Sequence, residues 1–182
     1  MNNQVVKRYS AVALFSPDLD RVVLIHKLHP AWQAGKANFP GGKVEDADDQ
    51  FEPCTPQYWE NVHQHCAARE LAEETGIVIA AESLTLFCTL RFNSPATDTS
   101  QPQPAECRFY CAIGDVDAAQ TRESESIFVA DVDDVLDGQV IDCNAVTLPT
   151  MGNLPWLVAM ARQRLRGDVE WRPGYVVEEV VS

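Results

Sequence analysis

Three glutamates near the middle of the chain have a spacing suited to metal chemistry. Glu70, Glu73 and Glu74 stand at positions i, i+3 and i+4, which share one face of a helix. Carboxylates this close repel one another, and the end of a helix disfavours them further. The spacing therefore predicts a site for divalent cations, because Mg²⁺ and Mn²⁺ prefer hard oxygen ligands. A solvated acidic helix face is the alternative interpretation of the three glutamates alone.

The surrounding residues extend this pattern. Residues 69–77 read RELAEETGI, and an upstream turn at residues 39–42 reads FPGG. The chain resembles the Nudix family, whose motif is G-x5-E-x7-R-E-U-x-E-E-x-G-U with U aliphatic. Residues 69–77 match every fixed position of its second half, and Gly42 supplies the leading glycine. The resemblance implies a hydrolase that cleaves a pyrophosphate bond with Mg²⁺, for which Mn²⁺ can substitute.

The first half of the motif is interrupted by extra residues. The family places its arginine 14 residues after the glycine, whereas Arg69 lies 27 residues after Gly42, so 13 residues are inserted, at about 46–61. The first glutamate of the motif falls at Asp48 when counted from Gly42, and at Asn61 when counted back from Arg69. Four acidic residues are candidates for that carboxylate: Asp48, Asp49, Glu52 and Glu60.

Metal-ligand residue types also lie around this insertion, namely Cys54, His63, His65 and Cys66. The two histidines are two residues apart and point to different helix faces, so we predict exposed polar residues rather than a zinc site. The six cysteines of the chain include no C-x-x-C pair and are predicted to be reduced thiols.

The resemblance assigns roles to the matching residues. Glu73, Glu74 and the backbone carbonyl of Gly41 would bind the metal, and Glu70 would bind metal or act as general base. Arg69 would pair with a carboxylate and hold it in place, as a planar guanidinium does well.

Many family members add a glutamate from a later loop. Glu125 is the favoured candidate here, Glu123 is its alternative, and Glu106 is a weaker one.

On the substrate side, the chain resembles the branch of oxidised-purine nucleoside triphosphatases related to MutT. There, residues at the positions of Trp32 and Asn38 face the base, which an indole can stack on and an amide can hydrogen-bond. Gly42 and Lys43 are further candidate substrate contacts. Where that branch carries paired acidic residues, this chain has Gly152 and Asn153. Asn153 would read a base edge or cap the following helix, and we favour the cap.

The function expected from these features is hydrolysis of a nucleoside triphosphate, either standard or modified, to the monophosphate and pyrophosphate. Other diphosphates, such as ADP-ribose, a dinucleotide or coenzyme A, are the alternative, and a non-catalytic nucleotide-binding regulator is the third hypothesis. The net charge of −13 argues against binding a nucleic acid polymer. We expect a cytoplasmic protein with a small-molecule partner, no membrane association, and a monomeric or homodimeric state.

The pattern of elements predicts one α/β domain over residues 1–182, an α/β/α sandwich with a mixed sheet and a central helix that bears the carboxylates. Helices are expected over 56–75, with Thr55 and Pro56 at its start and Gly76 at its end, and over 154–165, with a helical turn at 131–136. Loops are expected at 29–38, 46–53 and 93–105. Strands are expected over 5–16, 21–27, 77–80, 84–92, 107–113, 127–130 and 175–181.

Overall fold

The computed structural model describes residues 6–51, 57–94 and 102–167, and the backbone of 176–178. Three helices stand in this part of the chain: α1 (Tyr58–Thr75), α2 (Val132–Leu136) and α3 (Leu154–Arg166). The strands are β1 (Lys7–Phe15), β2 (Arg21–Lys27), β3 (Lys36–Asn38), β4 (Gly41–Lys43), β5 (Thr85–Asn93), β6 (Pro104–Ile113), β7 (Ile127–Asp131), β8 (Gln139–Ile141), β9 (Thr147–Pro149) and β10 (Val176–Glu178).

Eight of the described strands form one mixed sheet. Its main order is β10-β5-β6-β1-β2-β3, with β4 paired to β1 and β7 paired to β2. The central pair, β1 and β6, is parallel from Lys7–Ala105 to Phe15–Ile113, whereas β1 and β2 are antiparallel. The predicted α/β class with a mixed sheet is confirmed.

The two faces of the sheet bury different helices, because side chains alternate along β1. Val12 and Leu14 face α1 and pack with Leu71 of that helix. Ala13 and Phe15 face the opposite side and belong to the core that contains Leu157 and others from α3. The sheet therefore lies between two helical layers, as predicted.

The helix that bears the carboxylates ends where the sequence predicts. Gly76 adopts the left-handed conformation with φ 74°, and its N–H donates to the carbonyl of Ala72, which stops α1 at Thr75. The predicted start at Thr55 and Pro56 lies outside the described residues.

Two short segments differ from the prediction. Residues 77–80 do not form a strand, because Ile77 and Ile79 pack onto the α1-side core instead of pairing. Residues 36–38, expected within a loop, form β3 because they pair with β2, with Asn38 opposite Ile25. None of the described helices has the length and apolar character needed to cross a membrane.

The predicted loops are shorter in the structure. A 3₁₀ turn at Asp46–Asp48 occupies the start of the acidic loop. Strand β5 extends to Asn93 and β6 already begins at Pro104. Residues 52–53 of the first loop and 95–101 of the second lie outside the described part, as do the ends of the segment predicted as the last strand.

Candidate active site

The glycine turn places the chain between β1 and α1. Gly41 has φ +153°, and a Cβ built on it would lie 2.3 Å from the carbonyl oxygen of Ser10. A Cβ on Gly42 would lie 2.4 Å from the carboxyl group of Glu70. Glycine is thus required at position 41, where a side chain would strike the backbone of β1, and at position 42 a side chain would push the Glu70 carboxyl group aside. The turn is fixed by β4, in which Gly41 pairs with Ala11.

Glu74 lies buried beneath this turn. Its Oε2 atom accepts the N–H of Gly41 at 2.7 Å, and its side chain is only 7% exposed. Burial raises the pKa of Glu74 to about 7, although the nearby Lys27 ammonium and the Gly41 N–H favour the charged form.

Lys27, at the end of β2, joins Glu74 to Glu125. Its Nζ atom forms an ion pair with Oε2 of Glu125 and lies 3.6 Å from Oε1 of Glu74. Oε1 of Glu125 accepts the backbone N–H groups of Leu28 at 2.6 Å and His29 at 2.9 Å. Burial alone would raise the pKa of Glu125, but the Lys27 ion pair and the backbone donors lower it. The structure thus brings Glu125 to the carboxylate helix.

Glu123, the alternative to Glu125, is exposed. Glu106, the weaker candidate, pairs instead with Arg91 and Arg108. Sequence reasoning missed Lys27, because a single lysine at a strand end has no spacing signal.

Arg69 organises the other carboxylates. Its Nε and Nη2 atoms form a two-pronged contact with Asp48, at 2.9 and 3.0 Å. Its Nη1 atom lies 2.9 Å from Oε1 of Glu70 and 2.7 Å from Oε2 of Glu73. This geometry is the carboxylate pairing that the resemblance assigned to Arg69.

Of the four candidates for the first motif carboxylate, Asp48 alone makes this contact among the described residues. Asp48 is buried, and its Oδ2 also accepts the N–H of Glu45 at 2.9 Å. Burial would raise its pKa, but the bonds from Arg69 and Glu45 lower it. Asp49 bonds Tyr58, Glu60 is exposed, and Glu52 lies outside the described residues.

Glu70 and Glu73 differ in environment. The Glu70 side chain is 14% exposed and that of Glu73 is 50% exposed. Burial raises the pKa of Glu70, and Arg69 only partly opposes this. A carboxylate with a raised pKa is better suited to accept a proton near neutral pH than an exposed one.

The donors at this site fit a hard divalent cation, since they are carboxylates of α1 and Glu125 together with the Gly41 carbonyl. In residues 6–51, 57–94 and 102–167, no three His, Cys, Asp or Glu side chains stand close enough to hold a metal as they are. Lys27 and Arg69 provide the positive charge next to these carboxylates. The Lys27 ammonium contacts both Glu74 and Glu125, so a cation bound by these two carboxylates would compete with it.

The candidate substrate residues Trp32 and Asn38 differ in how free their side chains are to contact a ligand. Trp32 is 38% exposed. The Nδ2 of Asn38 donates to Gln33 at 3.2 Å and its Oδ1 accepts the N–H of Phe39 at 2.9 Å, so both ends of the amide have local partners. Lys43 is exposed, and its carbonyl accepts a bond from Arg69 at 3.1 Å.

The start of α3 lies beside β3, because the N–H of Met151 donates to the carbonyl of Ala37 at 2.9 Å. Asn153 stands at the N-cap position of α3, as predicted, but its side chain makes no capping hydrogen bond. Its Oδ1 is buried and has no hydrogen-bond partner among the described residues. A Cβ built on Gly152 would meet no atom within 4 Å, so space is open there.

The predicted exposure of the residues around the insertion is wrong in part. His63 and Cys66 are fully buried, because their face of α1 packs against the start of β1. His63 Nδ1 lies 3.0 Å from Oγ of Ser10. His65 is partly buried against the ring of Phe51. The five described cysteines are free thiols, as predicted, and Cys54 lies outside the described residues.

The chain is similar to a known protein family in sequence and to known structures in fold. A family model, the NUDIX domain, matches residues 6–145. No curated protein sequence matches the chain.

Similar solved structures include the NUDIX domain of Shewanella oneidensis NrtR complexed with ADP ribose. It is 22% identical, with a TM-score of 0.60, over 89% of this chain and 90% of that one. A MutT NUDIX hydrolase from Burkholderia pseudomallei is 18% identical, with a TM-score of 0.55, over 86% of this chain and 98% of that one. The chain spans 63% of a longer NrtR structure. At these identities the likeness shows the fold.

Proposed function

Because the chain belongs to the Nudix family of hydrolases, which act on pyrophosphate bonds, we propose that it hydrolyses a nucleoside triphosphate to the monophosphate and pyrophosphate. The substrate is a small nucleotide, and Mg²⁺ is the cofactor, with Mn²⁺ as a substitute. Hydrolysis would take place at the carboxylates of α1.

The observation that supports the nucleotide part of this proposal is the buried Oδ1 of Asn153, which has no partner among the described residues. A buried acceptor without a donor costs free energy, roughly 1–3 kcal/mol, which a ligand N–H would recover. The edge of a nucleobase carries such donors. The Met151–Ala37 bond holds this segment beside β3, which also carries Asn38. A base at this place would lie between the two asparagine-bearing segments, with Trp32 as its stacking partner.

The catalytic proposal rests on the groups near the glycine turn. When bound, the divalent cation would neutralise charge on the phosphate oxygens and lower the pKa of an attacking water. Glu73, Glu74, Glu125 and the Gly41 carbonyl would hold it, and Glu70 would bind it as well or accept the proton of the water. The raised pKa and partial burial of Glu70 support the general-base role.

Arg69 and Lys27 would position these groups. Arg69, paired on two sides with Asp48, would fix the orientation of Glu70 and Glu73. The Lys27 ammonium, displaced from Glu74 and Glu125 by the cation, would lie within reach of a substrate phosphate. A compact ammonium suits that contact, because it presents three donors and a full positive charge.

A second candidate function is hydrolysis of ADP-ribose or another nucleoside diphosphate derivative. The observation in its favour is that the NrtR domain complexed with ADP ribose matches 89% of this chain. In this candidate the carboxylate roles are unchanged and only the group beyond the diphosphate differs.

A substrate panel tests the proposal. Purified protein with Mg²⁺ would be given purine and pyrimidine triphosphates, their oxidised forms, ADP-ribose, a dinucleotide and coenzyme A, and kcat/KM would be compared. We expect the largest value for a triphosphate, with pyrophosphate released. A higher value for ADP-ribose would select the second candidate, and no turnover of any compound would favour a non-catalytic regulator. Glu73→Gln serves as the inactive control.

A further inference from the structure

A cavity lies at the start of α1, away from the carboxylates. It has a volume of about 550 Å³. Its lining comes from the first residues of β1, the first turn of α1, the end of β5 and the start of β6. The side chains that matter most are Arg8, Trp59, Arg91, Glu106 and Arg108. A cavity of this size suits a nucleotide-sized molecule.

The described lining carries three guanidinium groups and a single carboxylate, in a protein of net charge −13. Arg91 and Arg108 each contact Glu106 through Nε, both at 3.1 Å. A guanidinium has further N–H donors on its two Nη atoms, and these ion pairs do not use them. Glu106 thus holds both arginines in place while their forked ends can donate to another acceptor.

Trp59 fixes the third arginine. The guanidinium of Arg8 lies 3.7 Å from the centre of the Trp59 ring, a cation–π contact. Trp59 is contributed by the 13-residue insertion in the motif. The insertion therefore completes a basic cavity. This cavity has no part in the hydrolysis proposed at the carboxylates.

The neighbouring histidine leaves this positive charge unchanged at neutral pH. His63 is fully buried, with Nε2 3.9 Å from Oε1 of Glu106. Burial lowers the pKa of His63 to about 4, and Arg108 and Arg8 act in the same direction. The imidazole is therefore neutral, and the cavity keeps three positive charges against one negative.

The cavity is separate from the proposed catalytic site. Trp59 and Glu70 are 11 residues apart on the same helix, which corresponds to roughly 16 Å at 1.5 Å per residue. The carboxylates also lie towards the opposite end of α1. One phosphate group held by the cavity would not reach Glu74.

We propose that this cavity is a binding site for a small phosphate-bearing metabolite of about the size of a nucleoside monophosphate. Arg91 and Arg108 grip its phosphate through their Nη atoms, and Arg8, held by Trp59, supplies the third charge. Arginine suits this task because its planar fork matches phosphate oxygens. The site goes beyond the proposed hydrolysis and does not depend on it.

Isothermal titration calorimetry with AMP tests the site, in buffer freed of divalent cations by a chelating resin. Without these cations the proposed hydrolysis does not proceed, so failure of one proposal is distinguishable from failure of the other. We expect saturable binding of AMP by the wild-type protein, and weaker binding as the salt concentration rises. Adenosine, which has the same base and no phosphate, should not bind at the same concentrations.

Two single variants locate the binding. Arg91→Ala and Arg8→Ala should each raise the Kd for AMP about tenfold or more, because each removes a charge-assisted contact. Arg91 is 54% exposed and Arg108 still neutralises Glu106, so Arg91→Ala should fold, as its melting curve would show. Arg166→Ala, an exposed arginine at the end of α3, is the matched control and should bind as wild type.

Three results would overturn the proposal: no saturable AMP binding, equal binding of adenosine, or an unchanged Kd in both Arg91→Ala and Arg8→Ala. The last result would mean that AMP binds elsewhere on the protein.

Discussion

The two ends of α1 carry opposite charge and are built in opposite ways. At its C-terminal end, α1 supplies three glutamates. Arg69 of the same helix and Lys27 of β2 contact them. At its N-terminal end, three arginines from three strands surround a single carboxylate, Glu106, and the helix contributes an aromatic ring. A single helix thus separates an acidic site from a basic one.

The two ends of α1 have opposite charges in excess. At the acidic end the carboxylates outnumber the cationic side chains near them, so the site favours binding of a further cation. At the basic end the guanidiniums outnumber the carboxylate, so the site favours binding of an anion. We expect substitutions at the acidic end to change catalysis strongly and those at the basic end to leave it unchanged.

The largest effect is expected at Glu74. In Glu74→Gln, the kcat/KM of Mg²⁺-dependent hydrolysis should fall roughly 10²–10³-fold, because charge stabilisation in the transition state is lost. The melting temperature should remain close to that of wild type, since glutamine can still accept the Gly41 N–H. Glu123→Gln, an exposed glutamate near Glu125, is the control and should retain wild-type kinetics. Near-normal turnover in Glu74→Gln would remove it from the catalytic site.

A smaller loss is expected at Asp48, which positions Arg69. Asp48→Asn should lower kcat/KM by roughly 10–100-fold, the usual cost of losing a group that orients metal ligands. Asp49→Asn changes the neighbouring carboxylate without touching Arg69 and should have little effect. Steady-state kinetics of both variants with Mg²⁺ would measure this. If Asp49→Asn were the impaired variant, the first motif carboxylate would have to be reassigned.

A still smaller effect is expected at the proposed base site. Trp32→Ala should raise KM about tenfold, because stacking of a base on an aromatic ring contributes roughly 1–3 kcal/mol. Trp32→Phe should restore most of the affinity, and Val78→Ala, which trims another exposed apolar side chain, should leave KM unchanged. Kinetics on the preferred triphosphate decide the matter. Equal KM values in wild type and Trp32→Ala would place the base elsewhere.

No effect on catalysis, but a defined effect on stability, is expected at His63. Its pKa is about 4 in the folded protein against 6.5 for a free histidine, so the unfolded chain takes up the proton first. The neutral, buried His63 therefore contributes to the free energy of unfolding above pH 6.5, and this contribution is lost as the pH falls from 6.5 to 4. Between pH 7 and pH 4.5 it amounts to about 2 kcal/mol.

Denaturant unfolding at these two pH values would measure the effect. His63→Gln should lose about 2 kcal/mol less than wild type on acidification, whereas His65→Gln should behave as wild type. Identical pH dependence in wild type and His63→Gln would show that His63 is protonated in the folded protein.

The acidic end could be predicted from the sequence because its information is local. Glu70, Glu73 and Glu74 lie within five residues of one helix, and Gly76 marks its end. For the acidic partner of Arg69, the sequence left four candidates. The insertion places Asp48, the actual partner, 21 positions before Arg69, so the usual spacing of the motif did not identify it.

The remaining features depend on tertiary contacts. The basic cavity joins Arg8, Arg91 and Arg108, which no motif connects, so nothing in the sequence marks it. The burial of His63 was missed because helical periodicity alone does not show how far the insertion extends α1 over β1. The strand expected at 77–80 fails for a related reason: an apolar run indicates burial, but pairing needs a neighbouring strand with a free edge.

The open space at Gly152 has a consequence for how the enzyme can evolve. It stands next to Asn153, its backbone is not left-handed, and a side chain there would strike nothing within 4 Å. One base change in any glycine codon yields aspartate or glutamate. A single mutational step therefore places a carboxylate beside Asn153, at the start of α3. A side chain gained at position 152 would therefore meet little structural resistance, whereas Gly41 is held to glycine by the backbone of β1.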